Sequence, residues 1–456
     1  MTKLKVAIVV DNPFRDLNGC IFLASKLASS GHDVYLVEMY SQLFNVPSIL
    51  PDVIIVNYVR SNNIEYIRYY KSLGINVIVL DTEGSWTENV IQSATDGSKN
   101  GLLAKIDYYF FWGRNQYTAA KHIGILDSNK LFISGCPRYD FCRSKDLASF
   151  GEGETIDKEY ILINTRFPRS NPKFTSGDND EIAGMIRAGF SYDQAVLYLE
   201  DDHKARTAFL KYILKLSELA PQEHFIIRPH PFESEDPYID LVKKNSIKNI
   251  EVIKEGTSIK WISNAKLLIH QNCTTSVEAN MLSIPCVSLE WFNSERLVSP
   301  IAKEACLNIY SFEDLLKYVS SDTFDLSYTH NKKLLKDYFN YSPDGPMSSD
   351  SVVSFFNERA AELLKKNRSN IFDFCSLKFV IYQKLRLTFG YGFLFFVRKL
   401  FKTKGHYKLT NKSYSVSSIE SVLNFLKKNK YVANDVVISR VKYRSSSDGI
   451  VLFKSF

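Results

Sequence analysis

Two short segments concentrate residue types that hold anions. The first is Arg228-Pro229-His230-Pro231-Phe232-Glu233, which follows directly on the apolar run 224–228. Prolines on either side of His230 fix its backbone, and Arg228 adds a permanent charge with a planar fork of donors. Together they suit a phosphate or pyrophosphate, although the same residues also suit a proline-stiffened loop whose histidine only packs. The second segment is His270-Gln271-Asn272-Cys273-Thr274-Thr275-Ser276-Val277-Glu278-Ala279. It closes a predicted strand and opens a predicted helix. Unpaired N–H groups and the helix dipole favour an anion there. A plain N-cap needs one hydroxyl, whereas Thr274, Thr275 and Ser276 bring three beside Asn272. Glu278, one turn further on, is placed to accept from a ribose hydroxyl.

Three further strand ends carry polar chemistry. Asp81-Thr82-Glu83-Gly84 supplies two carboxylates, Asp81 and Glu83, either of which can serve as a general acid or base; the same composition also makes ordinary turns. Gly135-Cys136-Pro137-Arg138-Tyr139-Asp140 and Asn164-Thr165-Arg166-Phe167 add Arg138, Asp140, Asn164 and Arg166 as candidates to line a cleft.

The elements that must position these groups are legible as apolar runs. Strands are predicted over 5–10, 34–38, 53–57, 77–81, 108–112 and 131–134, with helices over 17–30 and 64–73 between them. A second series runs 160–164, 224–228, 250–253, 267–270 and 286–289, with helices over 205–219, 259–263 and 275–282. Continuous apolar strands alternating with helices indicate parallel sheets covered on both faces. The α/β pattern therefore occurs twice, with a boundary between 141 and 158, of which 144–158 is largely polar. A length of 456 residues, 45% of them hydrophobic, suits two such domains and an extension.

Several chemistries have no sequence support. There is no G-x-G-x-x-G, P-loop, H-E-x-x-H or G-x-S-x-G pattern. Seven scattered cysteines form no C-x-x-C pair, so no metal site or disulfide framework is expected, and a reducing compartment is. The first apolar run is too short for a signal peptide, and no stretch is long and apolar enough for a membrane span. The net charge of +7 is concentrated near the end: residues 365–408 hold eleven Lys or Arg and one acidic residue, Asp373, interleaved with bulky apolar side chains. That composition suits a helix lying in a membrane interface, or a packed helix whose basic side chains snorkel to water. No nucleic-acid-binding module is recognisable.

Taken in order, D-T-E-G, G-C-P-R-Y-D, I-N-T-R-F, R-P-H-P-F-E and H-Q-N-C-T-T-S-V-E-A resemble bacterial surface carbohydrate biosynthesis proteins, over roughly residues 50 to 290. These are similar to retaining β-Kdo transferases and other CMP-sugar enzymes of the GT-B architecture, in which two Rossmann-like domains face a cleft. The resemblance implies an acceptor or catalytic domain over 1–150 and a nucleotide-sugar-binding domain over 151–340; the residues themselves predict a basic helical extension over 351–456, with 414–456 as a small α/β appendage. It implies a CMP-activated acidic sugar such as Kdo as donor, with no metal or other cofactor, and a glycan or lipid-linked glycan as acceptor. The protein is then expected in the cytoplasm, on the inner-membrane surface through 365–408. His230 and the hydroxyls of Thr274, Thr275 and Ser276 would hold the CMP phosphate, and Glu83 would be the acid/base residue. A retaining double displacement also needs a carboxylate nucleophile, and the strand end where it is sought carries Asn164. Three other readings compete: a polyol-phosphate transferase using CDP-glycerol or CDP-ribitol, an isomerase of the UDP-N-acetylglucosamine 2-epimerase type, and a non-catalytic member of a polysaccharide assembly complex.

Overall fold

The computed structural model describes residues 2–60, 63–84, 106–124, 126–151, 158–175, 177–187, 189–321, 324, 331–364, 371, 375–400, 413–447 and 449–455. Chain contacts divide it into two units. The first joins Met1–Phe141 to Lys336–Phe456, and the second is Cys142–Leu335.

Unit 1 begins with β1 (Lys5–Val10), α1 (Pro13–Ser29), β2 (Asp33–Glu38), α2 (Gln42–Ile49), β3 (Val53–Val56), α3 (Ile64–Ser72), β4 (Asn76–Leu80), β5 (Tyr108–Phe111), α4 (Arg114–Ile123) and β6 (Leu131–Ile133). Unit 2 contains α5 (Lys145–Ser149), β7 (Ile161–Asn164), α6 (Asp178–Arg187), α7 (Tyr192–Leu219), β8 (Phe225–Arg228), α8 (Asp236–Lys244), β9 (Ile250–Val252), α9 (Ser258–Ser263), β10 (Leu267–His270), α10 (Thr275–Leu282), β11 (Cys286–Leu289), α11 (Pro300–Glu304), β12 (Leu307–Ile309) and α12 (Phe312–Val319). After α13 (Lys332–Phe339), the chain adds α14 (Ser348–Leu363), α15 (Leu377–Leu400), α16 (Val416–Lys428), β13 (Val436–Val441) and β14 (Ile450–Ser455) to unit 1.

Both sheets are doubly wound. Unit 2 has the order β12-β11-β10-β7-β8-β9, with every pairing parallel. The chain starts at β7, builds outward through β8 and β9, then crosses to β10 on the other side. Unit 1 has the order β13-β14-β2-β1-β3-β4-β5-β6, parallel from β2 to β6. The fold is therefore α/β with two Rossmann-like domains. Strands such as Ile161–Asn164 and Leu267–His270 are buried along their whole length. The alternation of Val, Ile and Leu between faces fills separate apolar clusters above and below the unit 2 sheet.

Three differences from the sequence reading concern the ends of elements. Unit 2 starts at Cys142 rather than 151. The terminal 351–456 segment is not a helical extension. Its α14 packs on α1, and its last strands form a hairpin in which β14 pairs antiparallel with β2. The edge of β2 needs hydrogen-bonding partners, and the terminal hairpin supplies them. Asp140, expected to line a cleft, is fully buried and accepts the backbone N–H groups of Ser348 (2.7 Å) and Ser349 (2.9 Å). The N-cap residue of α14, Met347, has no capping side chain, so a carboxylate from elsewhere in unit 1 satisfies these N–H groups and meets the positive end of the helix dipole. Asp140→Ala is expected to lower the unfolding free energy by about 2 kcal/mol. A urea titration checks this, and an unchanged midpoint contradicts the capping role.

Candidate functional site

In unit 2 the carboxyl ends of β8, β7 and β10 lie side by side. Asn164 is in register with Arg228, and Ile163 with Ile269, which puts His270 next to Asn164. β7 and β10 are also the neighbours from which the chain departs in opposite directions. In an open α/β sheet that switch point leaves a crevice for ligands.

Asn164 and Thr165 at the end of β7 tie the His230 and Thr275 segments together. Asn164 Nδ2 donates to Thr275 Oγ1 (3.1 Å) on one side. Thr165 Oγ1 donates to Glu233 (2.8 Å) on the other and accepts the His230 N–H (3.2 Å). Glu233 is completely buried; its carboxylate also accepts from Phe167 N (2.5 Å) and the Tyr238 hydroxyl. Burial pushes the Glu233 pKa up, and these donors act against that push. Glu233 thus braces the loop that carries His230. The imidazole Nδ1 of His230 accepts the Phe232 N–H (3.2 Å), which leaves Nε2 as the nitrogen bearing hydrogen. That is the tautomer that donates to a phosphate oxygen.

The remaining predicted residues divide into two groups. Thr274 is exposed at the start of α10, and its hydroxyl makes no capping bond; Thr275 stands beside it, half-buried. Glu278 is buried, accepts from Ser258 Oγ (2.8 Å), and its charge acts on Arg228. Arg228 is itself buried and donates to Gly256 O (2.6 Å), and burial brings its pKa down to about 10. By contrast, the Ser276 hydroxyl is buried and donates to Ala302 O (3.1 Å). Asn272 adopts a positive φ of 47°, accepts from Ser299 N (3.2 Å) and donates to Glu290 (3.4 Å). Both side chains hold the loop against α11 and β11 rather than presenting polar atoms to a ligand. Arg166 turns aside to the Tyr198 hydroxyl (3.2 Å) on α7.

One group of described residues has the ligand types of a metal site. His270, Cys286 and Cys306 are buried, with ligand atoms within 4.8 Å of one another. However, His270 Nδ1 accepts the Cys273 N–H (3.1 Å), so Nε2 carries the proton, and the Cys306 thiol donates to Ala302 O (3.1 Å). A metal-bound imidazole needs the reverse, with the distal nitrogen donating. As bonded here, the imidazole presents no lone pair to the cysteines, and its buried Nε2 has no hydrogen-bond partner among the described residues.

Unit 1 gathers a second polar cluster at the ends of β1, β3 and β4. Asp81 is buried, its Oδ1 accepts the Glu83 N–H (2.8 Å), and the Tyr109 hydroxyl approaches Oδ2 at 3.5 Å. Glu83 is half exposed between two guanidiniums, Arg60 Nη2 at 3.4 Å and Arg15 Nη1 at 3.7 Å. Arg15 also forks onto Asp16 at 2.9 and 3.0 Å, and Arg138 reaches Asp16 at 3.6 Å. Arg138 lies over the rings of Trp112 and Tyr139. Gly19 of α1 permits this approach, because a Cβ there would meet Arg138 N at 2.7 Å. A cavity of about 50 Å³ opens among Asp16, Asn57, Asp81, Thr82 and Arg138. Burial pushes the Cys136 thiol at its wall up to about 12, which rules out a resting thiolate. The sequence reading passed over Arg15, Asp16 and Arg60. No glycine fingerprint follows β1, yet Arg15-Asp16 just after the strand-ending Asp11-Asn12-Pro13 is itself a signal. Glu233 and Thr165 lie inside predicted motifs, but nothing in the neighbouring sequence signals their bracing role.

No known protein-family model matches the chain, and no curated protein matches its sequence. Solved structures resemble it over most of its length. The UDP-GlcNAc 2-epimerase of Methanocaldococcus jannaschii, solved with UDP-GlcNAc and UDP, is 16% identical, covers 78% of this chain and 99% of its own, and superposes with a TM-score of 0.46. The UDP-GlcNAc 2-epimerase of Neisseria meningitidis bound to UDP-GlcNAc is 11% identical over 78% of this chain and all of its own, with a TM-score of 0.47. The wall teichoic acid polymerase TagF is 9% identical over 79% of this chain and 89% of its own, with a TM-score of 0.48. At such identities and scores the likeness is one of architecture, and the functional argument rests on the side chains.

Burial, with Glu83 adding repulsion and Arg60 opposing, raises Asp81 from the usual carboxylate range to about 6. A carboxyl whose pKa is raised by folding stabilises the fold fully below its unfolded value and loses that contribution as pH rises through the folded one. Relative to Asp81→Asn, the wild-type protein is therefore expected to lose about 2–3 kcal/mol of stability between pH 4 and pH 7. Urea unfolding of both proteins across that range tests it; a pH-independent difference contradicts a buried, protonatable Asp81.

Proposed function

We propose that the chain is a glycosyltransferase that takes a sugar from a nucleotide donor for a bacterial surface polysaccharide. The donor nucleotide is assigned to unit 2. The observation that carries this reading is the β7–β10 switch point. There the uncapped start of α10, with Thr274 and Thr275, and the Nε2–H tautomer of His230 flank one strand end that is hydrogen-bonded to both. N–H donors, hydroxyls and a helix dipole at a strand edge fit a phosphate. Buried Arg228 and Glu278 support the wall of that site and Asn164 ties it to Thr275; Arg166, Asn272 and Ser276 shape the surrounding loops.

The acid/base chemistry is assigned to unit 1. Glu83, paired with Arg15 and Arg60, is the general base that deprotonates an acceptor hydroxyl on a glycan or lipid-linked glycan. Asp81 positions it through the Glu83 N–H. Arg138 and the other guanidiniums offer charge to an acidic sugar. A CMP-activated acidic sugar such as Kdo is therefore the donor to test first, and no metal has a step in this scheme.

A second reading, polyol-phosphate transfer from CDP-glycerol or CDP-ribitol, is favoured by Asn164. An amide engaged with Thr275 offers no nucleophile for a retaining double displacement, whereas phosphoryl transfer needs only a base and anion clamps.

Calorimetry with CMP, CDP, UDP and GDP separates the readings. The account expects CMP to bind most tightly and His230→Ala to weaken it about tenfold or more. Preference for CDP supports the polyol-phosphate reading, and preference for UDP with indifference to His230→Ala overturns both. With CMP-Kdo and an envelope glycan acceptor, Glu83→Gln is expected to lower kcat about a hundredfold or more while KM changes little. Unchanged kcat removes Glu83 from the mechanism.

A further inference from the structure

α15 lies on unit 1 with one face packed and the other bare. Val380 and Gln383 are buried, and Gln383 Nε2 donates to Leu43 O (2.6 Å). Phe379 meets Tyr69 edge-on at 5.7 Å and Tyr391 meets Phe44 at 5.5 Å. Gly390 takes a positive φ of 76° at a kink, and the Tyr391 N–H there donates to Ser445 O (3.2 Å). These contacts hold the helix flat against α2 and α3.

The opposite face carries Leu377, Ile381, Leu385, Phe389, Phe393, Phe396 and Leu400, between 47% and 64% exposed. Spacing of three or four residues puts Leu377, Ile381, Leu385 and Phe389 on one stripe before the Gly390 kink, and Phe393, Phe396 and Leu400 on another after it. The limb before the kink, 377–389, is roughly 20 Å long and the limb after it, 391–400, roughly 15 Å; together they bare more apolar surface than a soluble protein leaves uncovered without cause. The same helix holds five basic residues, Lys378, Lys384, Arg386, Arg398 and Lys399, and no acidic one; Lys378 and Lys384 are exposed beside the first stripe.

We propose that this face of α15 seats the protein in the interface of an anionic lipid bilayer. The apolar stripes enter the boundary between headgroups and acyl chains, while the lysines extend toward lipid phosphates. The opposite face stays bonded to unit 1, so the helix lies in the membrane plane. Consistent with that, no helix among the described residues is long and apolar enough to cross a membrane. A second copy of the chain fits this face less well, because a two-fold contact would set its basic residues against their own copies. The flanking residues 365–370, 372–374 and 401–408, expected from the sequence to join this surface, lie outside the described residues.

Co-sedimentation of the full chain with vesicles of phosphatidylcholine, alone or mixed with phosphatidylglycerol, tests the proposal. Partition onto the anionic vesicles is expected to exceed that onto neutral ones by about tenfold or more at low salt. Lys378→Glu with Lys384→Glu should reduce that preference severalfold. Phe389→Glu with Phe393→Glu should cut partition at least about a hundredfold, with the thermal midpoint unchanged because both side chains are exposed. Failure of the wild type to sediment with either vesicle overturns the proposal, as does unchanged partition of the phenylalanine variant. A solution mass that falls from dimer to monomer in that variant assigns the face to a second copy instead.

Discussion

A parallel sheet buried on both faces can present polar chemistry only at its strand ends, and only one pair of neighbouring strands sends the chain away in opposite directions. In unit 2 that pair is β7 and β10, and everything proposed for the nucleotide depends on what stands there. The short strand Ile161–Asn164 supplies the framework. Its last residue holds Thr275 at the start of α10, and the next one holds Glu233 and the His230 backbone. Two segments about forty residues apart in sequence thereby become one site. Glu233 has no role toward a ligand in this account; as a fully buried carboxylate with three donors it fixes the loop, and an apolar replacement would leave those donors unpaired.

Unit 1 solves a different problem at the corresponding edge. Four carboxylates, Asp11, Asp16, Asp81 and Glu83, share a small region with Arg15, Arg60 and Arg138. Arginine suits this arrangement because its fork serves two carboxylates at once; Arg15 contacts Asp11, Asp16 and Glu83. The result is one carboxylate held at the surface between cations and one buried carboxyl whose proton stays until about pH 6. A buried carboxyl beside an exposed carboxylate that is paired with arginines suits acid/base chemistry.

The sequence revealed most of this architecture because buried parallel strands are continuous apolar runs; it also singled out both segments that meet beside the end of β7, since proline, histidine and clustered hydroxyls at strand ends are local signals. What it could not reveal depended on distant partners. Asp140 reads as a cleft residue until the chain returns some two hundred residues later to place an uncapped helix on it. Ser276 reads as one more hydroxyl for phosphate, yet helical geometry turns it inward to Ala302. The final α/β appendage had no legible place, because β13 alternates exposed and buried residues weakly and the hairpin gains its meaning only from the open edge of β2.

The central claim is that the nucleotide is held at the β7–β10 switch point. Hydrogen–deuterium exchange of the full chain, with and without saturating CMP, addresses it directly. The account predicts slowed exchange at residues 161–166, 228–233 and 272–278, with the amides at the start of α10 most affected and β1 to β6 unchanged. Protection confined to the strand ends of unit 1, or none in unit 2 under conditions where calorimetry shows binding, would contradict it.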